Sequence, residues 1–368
     1  MALSTTTQVV TGAEQLELYL PKLKNKNIAL VANQTSQVHH IHLVDVLLAH
    51  GINIKRVLAP EHGFIGQKDA GELDVDTIDA RNGLEIVSLY KQSKKLTSSM
   101  LEGVDIVVFD IQDVGVRFFT YISTLHYVME GCAMYGKPLL LLDRPNPNAH
   151  YVDGPILEKE VQSFVGMHPI PIVYGLTIGE LATMINEERW LANGIKCELE
   201  IIPLRNYTHN TTYILPIKPS PNLTNTQAVA LYPSLGLFEG TIMSIGRGTH
   251  FPFQVIGYPN PQWGNFRFTP TSMPDMSTIP KYQDKICYGL DLRDVAPSSY
   301  INLSYLLHFY KVAKEKGISF FEKSFDQHIG NSTLRQQMEA GLSEEAIRAS
   351  WEPGLKEYKA LRKKYLRY

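Results

Sequence analysis

Carboxylates and arginines that follow short apolar runs are the residues of this chain best suited to acid–base and anion-binding chemistry. Glu61 stands first. In Pro60-Glu61-His62-Gly63 the proline restricts the backbone on one side and the glycine frees it on the other, which would hold the carboxyl at a cleft mouth. A glutamate in this place can also do no more than cap the next helix. His62 can serve as a base or a metal ligand, but no second histidine follows at i+3 or i+4, and a packed, hydrogen-bonded ring is the plainer reading. Asp110, Asp113 and Arg117 form a second group inside the run from Phe109 to Tyr121. Two acids and a guanidinium at a strand end can orient a water, hold sugar hydroxyls or bind a carboxylate, or simply pair to fix the loop. Phe118, Phe119 and Tyr121 offer faces for a sugar, with core packing expected for at least two of them. Arg144 and Asn146 lie in a turn stiffened by Pro145 and Pro147 that would aim polar side chains outward. Arg247 sits between two glycines, which admit a ligand close to the backbone or only make a turn, and Glu239 is a further carboxyl or a loop anchor.

These residues need elements to position them. Apolar runs at Asn27 to Ala32, Ile54 to Ala59, Ile86 to Tyr90, Asp105 to Asp110 and Pro138 to Asp143 alternate with helical patterns near His42 to His50 and Thr120 to Tyr135. Continuous apolar strands separated by helices predict a mostly parallel sheet covered on both faces, a Rossmann-like α/β layout. Ligands of such sheets sit beyond the carboxyl ends of the strands. Asn33, Glu61, Asp110 and Arg144 all follow such ends, and Asn33 joins the candidate binding residues on that ground. No Gly-x-Gly-x-x-Gly or Gly-Lys-Ser/Thr motif follows a strand, so the phosphate cradle of a nucleotide site is missing and no cofactor is expected. Thr177 and Glu180 have the spacing of a capping box at the start of a helix running to about Asn193. A strand is expected from Lys196 to Pro203, a loop-rich stretch over Pro216 to Asn222 and the run Leu231 to Gly240, an irregular Pro259 to Pro280, and helices over Ile301 to Lys316 and from Glu344 onward. The division expected is a catalytic domain over 1–255 and a smaller C-terminal α+β auxiliary domain over 256–368.

Composition narrows the partner. The 35 basic and 37 acidic side chains leave a formal charge of -2 with no long basic block, which argues against nucleic acid. No run approaches the roughly 20 apolar residues of a membrane span, so no stable membrane insertion is expected. Cys132, Cys197 and Cys287 are widely spaced and form no C-x-x-C pair, so neither a zinc ribbon nor a disulfide framework is predicted. His39, His40 and His42 cluster, but only Asp45 lies near, and they are read as solvent-facing with no metal site.

Six segments in one order carry a resemblance. They are Asn33 to Ser36, Pro60 to Phe64, Phe109 to Tyr121, Asp143 to Pro147, Gly175 to Ala182 and Tyr232 to Thr241. The set resembles the bacterial exo-β-N-acetylmuramidases of the NamZ type, formerly a domain of unknown function. The likeness spans about residues 27 to 253 and is looser beyond, and Leu176 replaces an expected methionine at similar volume. It implies release of terminal β-linked N-acetylmuramic acid (MurNAc) from the non-reducing end of peptidoglycan fragments, with Glu61 as the catalytic glutamate. Asp110 or Asp113 would then supply the second group, by a retaining, inverting or substrate-assisted route. Arg117, Arg144 or Arg247 would read the lactyl carboxylate of the sugar, among binding residues Asn33, His62, Tyr121, Asn146 and Glu239. The partner expected is a peptidoglycan-derived saccharide. Met1 to Val10 lacks the parts of a secretory leader, which does not by itself establish a cytoplasmic home; a periplasmic or secreted location is expected, with the leader absent from this chain, and a cytoplasmic one stays open. Two other classes compete: a muropeptide receptor without turnover, and a metal-dependent hydrolase built on Asp110, Asp113 and His62.

Overall fold

The computed structural model describes residues 8–69, 71–72, 75–91 and 93–368. Its strands are β1 (Asn27–Ala32), β2 (Gln37–Val38), β3 (Ile41–His42), β4 (Asn53–Ala59), β5 (Thr77–Ile78), β6 (Glu85–Ser88), β7 (Ile106–Asp110), β8 (Leu139–Leu142), β9 (Leu199–Ile202), β10 (Val255–Tyr258), β11 (Phe266–Phe268) and β12 (Cys287–Asp291). The helices are α1 (Leu16–Leu23), α2 (Leu43–Ala49), α3 (Tyr121–Met134), α4 (Ile178–Glu187), α5 (Thr226–Leu235), α6 (Ser304–Glu315), α7 (Phe325–Ile329), α8 (Thr333–Glu339) and α9 (Glu344–Arg362).

Seven strands form one sheet in the order β5-β6-β4-β1-β7-β8-β9, parallel throughout except for β5. The pleat sends alternate residues to opposite faces. Ala29, Val31, Val107, Phe109, Leu139 and Leu141 enter one core with Tyr121, Ile122, Leu125 and Leu181 of α3 and α4. Ile28, Leu30, Ile106, Val108, Leu140 and Leu142 enter the other, beneath Tyr19 and Leu23 of α1 and Leu43, Val44 and Leu47 of α2. Apolar residues at every strand position are what a sheet covered on both sides requires, which is why these runs were continuous rather than alternating.

The C-terminal part holds an antiparallel sheet, β10-β12-β11, and helices α6 to α9. Its apolar residues, among them Phe309, Phe325, Trp351 and Tyr358, join the same core cluster as α3. Residue 255, the expected boundary, is the first of β10. Helix α5 begins beyond Asn222 and runs into the Leu231 to Gly240 segment, with Pro233 inside it and its first turn capped by Asn225, whose side chain accepts from Ala228 N. No helix among the described residues is long and apolar enough to cross a membrane.

The strand order reverses between β1 and β7, the usual crevice for a ligand in such sheets. Here that crevice is filled by the protein itself. Asp110 takes a bidentate pair from Arg144, Nε to Oδ1 at 2.5 Å and Nη2 to Oδ2 at 2.8 Å, with both residues buried. Ser36 Oγ donates to the Asp110 carbonyl, and Gln112 N donates to Thr35 Oγ1 at 3.0 Å.

Candidate active site

The cleft lies to one side of the reversal, over the end of β4 and the start of α3. It is a cavity of about 280 Å³ lined by residues that include Glu61, Tyr90, Thr120, Glu239, Arg247 and His328. Strand β4 delivers Glu61 through Pro60. His62 and Gly63 then take positive φ of 71° and 75°, and Gly63 N closes a turn onto Pro60 O at 3.0 Å. Glu61 is therefore fixed by backbone on both sides. Its Oε1 accepts from Gly71 N at 2.9 Å and its Oε2 from Thr120 Oγ1 at 2.5 Å. The Tyr90 hydroxyl bonds to it as well, and burial together with that carboxylate pushes the Tyr90 phenol up. Thr120 is the N-cap residue of α3, so the carboxylate also meets the positive end of a 14-residue helix.

His62 is buried and its Nδ1 lies 2.8 Å from Lys68 O. A carbonyl can only accept, so Nδ1 carries the proton and Nε2 keeps its lone pair. Burial pulls the pKa of His62 down, against the opposing charge of Glu61, and the ring is neutral at neutral pH.

A second carboxyl, Glu239, faces the same cavity. Arg247 Nη2 donates to its Oε1 at 2.5 Å, and His328 Nε2 lies 3.4 Å from its Oε2. Burial alone would raise its pKa, but the guanidinium and then His328 hold it down at about 2. The Arg247 guanidinium lies 5.0 Å over the Phe253 ring, which packs edge-on against Tyr232 at 4.9 Å. Gly246 and Gly248 have φ of 79° and 77°, and a Cβ there would meet Val255 Cγ2 at 2.6 Å or Pro280 Cγ at 2.5 Å. The glycines serve a protein turn rather than a ligand's approach. Phe118 and Phe119 line the cavity and pack on Tyr232, and Tyr121 lines it while its hydroxyl donates to Pro219 O at 3.2 Å.

The cavity thus gathers Glu61, His62, Phe118, Phe119, Tyr121, Glu239 and Arg247 from the candidates named above, and leaves out Asn33, Asp110, Asp113, Arg117, Arg144 and Asn146. Asp110 and Arg144 are buried against each other. Asp113 is buried, accepts from Gly115 N at 2.7 Å and from the Tyr174 hydroxyl, and is pushed up to about 6 by desolvation. Arg117 is fully buried with no carboxylate. It donates to the carbonyls of Pro155, Ile170 and Ile329, and burial lowers it to about 9. Asn146 bridges Leu176 O and Asn148 N, and Asn33 Oδ1 accepts from Thr35 N and Oγ1 in an Asx turn. In each case the side chain is buried and bonded to backbone, a hydroxyl or an ion partner away from the cavity, although Asn33 Nδ2, Asp113 Oδ1 and Arg117 Nε keep no hydrogen-bond partner. Of the histidine cluster, His42 is not solvent-facing: it caps α2, with Val44 N donating to Nδ1 at 3.2 Å. Among the described residues no three His, Cys, Asp or Glu converge as metal ligands. The three cysteines are buried and free.

Sequence reading did not single out Tyr90, Thr120, Tyr232, Phe253 or His328. Tyr90 had a signal, since it follows the end of β6 just as Glu61 follows β4. His328 had none, because it sits in a five-residue helix 267 positions beyond Glu61 and reaches the cleft only through tertiary packing.

Residues 28–227 match the family described as "Exo-beta-N-acetylmuramidase NamZ, N-terminal", and residues 230–368 match its C-terminal counterpart. The chain is 37% identical over 383 aligned positions to "Peptidoglycan beta-N-acetylmuramidase NamZ" of Bacillus subtilis (strain 168), covering 98% of this chain and 92% of that one. A crystal structure of a DUF1343 family protein from Bacteroides fragilis NCTC 9343 superposes with a TM-score of 0.91 at 44% identity, over 98% of this chain and 99% of the other. A second protein of that description from the same organism gives 0.83 at 27% identity, with the same coverage. The chain belongs to the exo-β-N-acetylmuramidase NamZ family.

Proposed function

We propose that the chain is a peptidoglycan β-N-acetylmuramidase that removes one terminal MurNAc at a time from the non-reducing end, with Glu61 as general acid. The observation that carries this reading is a cavity of about 280 Å³ onto which two carboxyls of different environment converge. That volume is near the lower end for ligand pockets and suits a single sugar. Glu61 gives its proton to the glycosidic oxygen. The carboxylate left behind is met by Gly71 N, Thr120, Tyr90 and the helix end, so the donors around it favour the state reached after transfer. Glu239, held ionised by Arg247, supplies the negative charge that an oxocarbenium-like transition state requires, whether a water, a carboxylate or the substrate's acetamido group attacks. Arg247 is the one arginine of the three candidates that lines the cavity, and the rest of its guanidinium fork meets the lactyl carboxylate.

Chromogenic β-N-acetylmuraminide and β-N-acetylglucosaminide, assayed side by side, test this. Hydrolysis of the first is expected, with little of the second, and Glu61→Gln should lower turnover by about 100-fold or more while the fold stays intact. Binding without turnover would support a receptor instead. A Glu61→Gln variant that keeps a tenth of wild-type turnover would remove Glu61 from the acid role.

A further inference from the structure

A second and larger cavity, of about 940 Å³, adjoins the first, and His62 lines both. Its floor is Gln34, Gln37 and His42, beyond the end of β1. Its walls are residues from Gly63 to Lys68 and from Thr77 to Arg81 on one side and Pro274, Asp275 and Thr278 on the other, tied together where Thr278 N donates to Asp69 Oδ2 at 3.0 Å. Ile65 and Ile78 stand in it 65% and 66% exposed, and with Val75 they give the groove an open apolar lining beside the cleft.

The lining has a definite chemistry. Apolar side chains, Ile65, Phe64 and Ile78, are interleaved with the amides of Gln34, Gln37 and Gln67. Of its charged groups, Lys68 pairs with Glu72 at 3.1 Å and Arg81 with Asp79 at 2.7 Å, and Asp275 adds one carboxylate. Such a surface suits a ring-built, sparsely charged polymer that alternates apolar faces and acetamido methyls with hydroxyl and amide edges and carries no more than one carboxylate per two sugars. It suits a highly charged chain poorly. The small cavity accepts one sugar and the groove, continuous with it at His62, has room for several.

We propose that this groove holds the glycan strand on the leaving-group side of the scissile bond, so that the enzyme grips sugars well beyond the one it releases. The inference rests on the glycosidase reading above. It makes strand length, rather than the terminal disaccharide alone, a determinant of kcat/KM, and it puts that determinant on residues remote from Glu61.

The test compares three substrates: the chromogenic β-N-acetylmuraminide, the disaccharide MurNAc-GlcNAc, and the tetrasaccharide of two such units. Wild type should favour the tetrasaccharide over the disaccharide by about tenfold, the worth of one added apolar contact of this size. Ile65→Asn and Ile78→Asn, alone and together, should bring that ratio close to one and leave the chromogenic substrate unchanged. Equal rates for the two oligosaccharides in wild type, or variants that lower all three substrates alike, would overturn the proposal. Calorimetric binding of the tetrasaccharide to Glu61→Gln, with and without Ile65→Asn and Ile78→Asn, answers independently of turnover. If wild type fails on the chromogenic sugar but Ile65→Asn and Ile78→Asn still weaken strand binding about tenfold, the glycosidase reading fails and the groove stands. If binding is indifferent to them, the groove fails.

Discussion

Replacing Arg247 by methionine should move a pH limb that the wild type hides. In the wild-type protein Glu239 is held at about 2 against an ordinary 4.5 because Arg247, and secondarily His328, outweigh the cost of burial. The difference corresponds to about 3 kcal/mol in favour of the charged form. A depressed carboxyl contributes stability that is present above 4.5 and is lost as pH falls through about 2. In Arg247→Met burial is left opposed by His328 alone, and the Glu239 pKa is expected above 4.5. The assay is kcat/KM on the chromogenic β-N-acetylmuraminide from about pH 4 to pH 8, reading the position of the acidic limb rather than its height. The height will fall in any case if the guanidinium binds the lactyl carboxylate. The acidic limb should shift upward by one pH unit or more. Thermal unfolding at each pH separates this from loss of fold. The double variant Glu239→Gln/Arg247→Met has no group left to titrate there, and its profile should lack the displaced limb. An acidic limb at the same pH in wild type and Arg247→Met would refute a required Glu239 carboxylate.

Asp113 was a sequence candidate for catalysis, and its burial predicts a different role. Its pKa is raised from 3.8 to about 6, so the folded state binds the proton more tightly and this residue's contribution is lost as pH rises through about 6. Asp113→Asn should flatten the fall in urea-unfolding stability between those values by up to about 3 kcal/mol and keep turnover; a loss of activity of 100-fold or more would restore it to the mechanism. Asp143, also pushed up to about 6 by burial, should leave a residual slope of the same sign. Arg117→Met strips three buried carbonyls of their donor, and a stability loss of about 2–5 kcal/mol is expected in thermal or denaturant unfolding. Its preference for the muraminide over the glucosaminide should stay that of the wild type, whereas Arg247→Met narrows it; a narrowed preference in Arg117→Met would mean that this buried cation reads the sugar after all.

The sequence alone determined the sheet. Continuous apolar runs put β1, β4, β6, β7 and β8 within a residue or two of their observed ends, because a strand buried on both faces has no polar side to interrupt it. The capping box at Thr177 and Glu180 was legible for the same local reason, since both of its hydrogen bonds lie within four residues. Glu61 was legible because strand end, proline and glycine are neighbours in the chain. Which polar strand ends face a ligand was not a local property. Asp110 and Arg144 sit 34 positions apart and close on each other only when β7 and β8 pair, which converts two apparent site residues into a plug. Glu239 and Arg247 lie eight apart, but His328 joins them from a helix near the other end of the chain. Strand identity is written in side-chain periodicity, while the cleft is decided by which charges find partners once distant segments pack, and that pairing exists only in three dimensions.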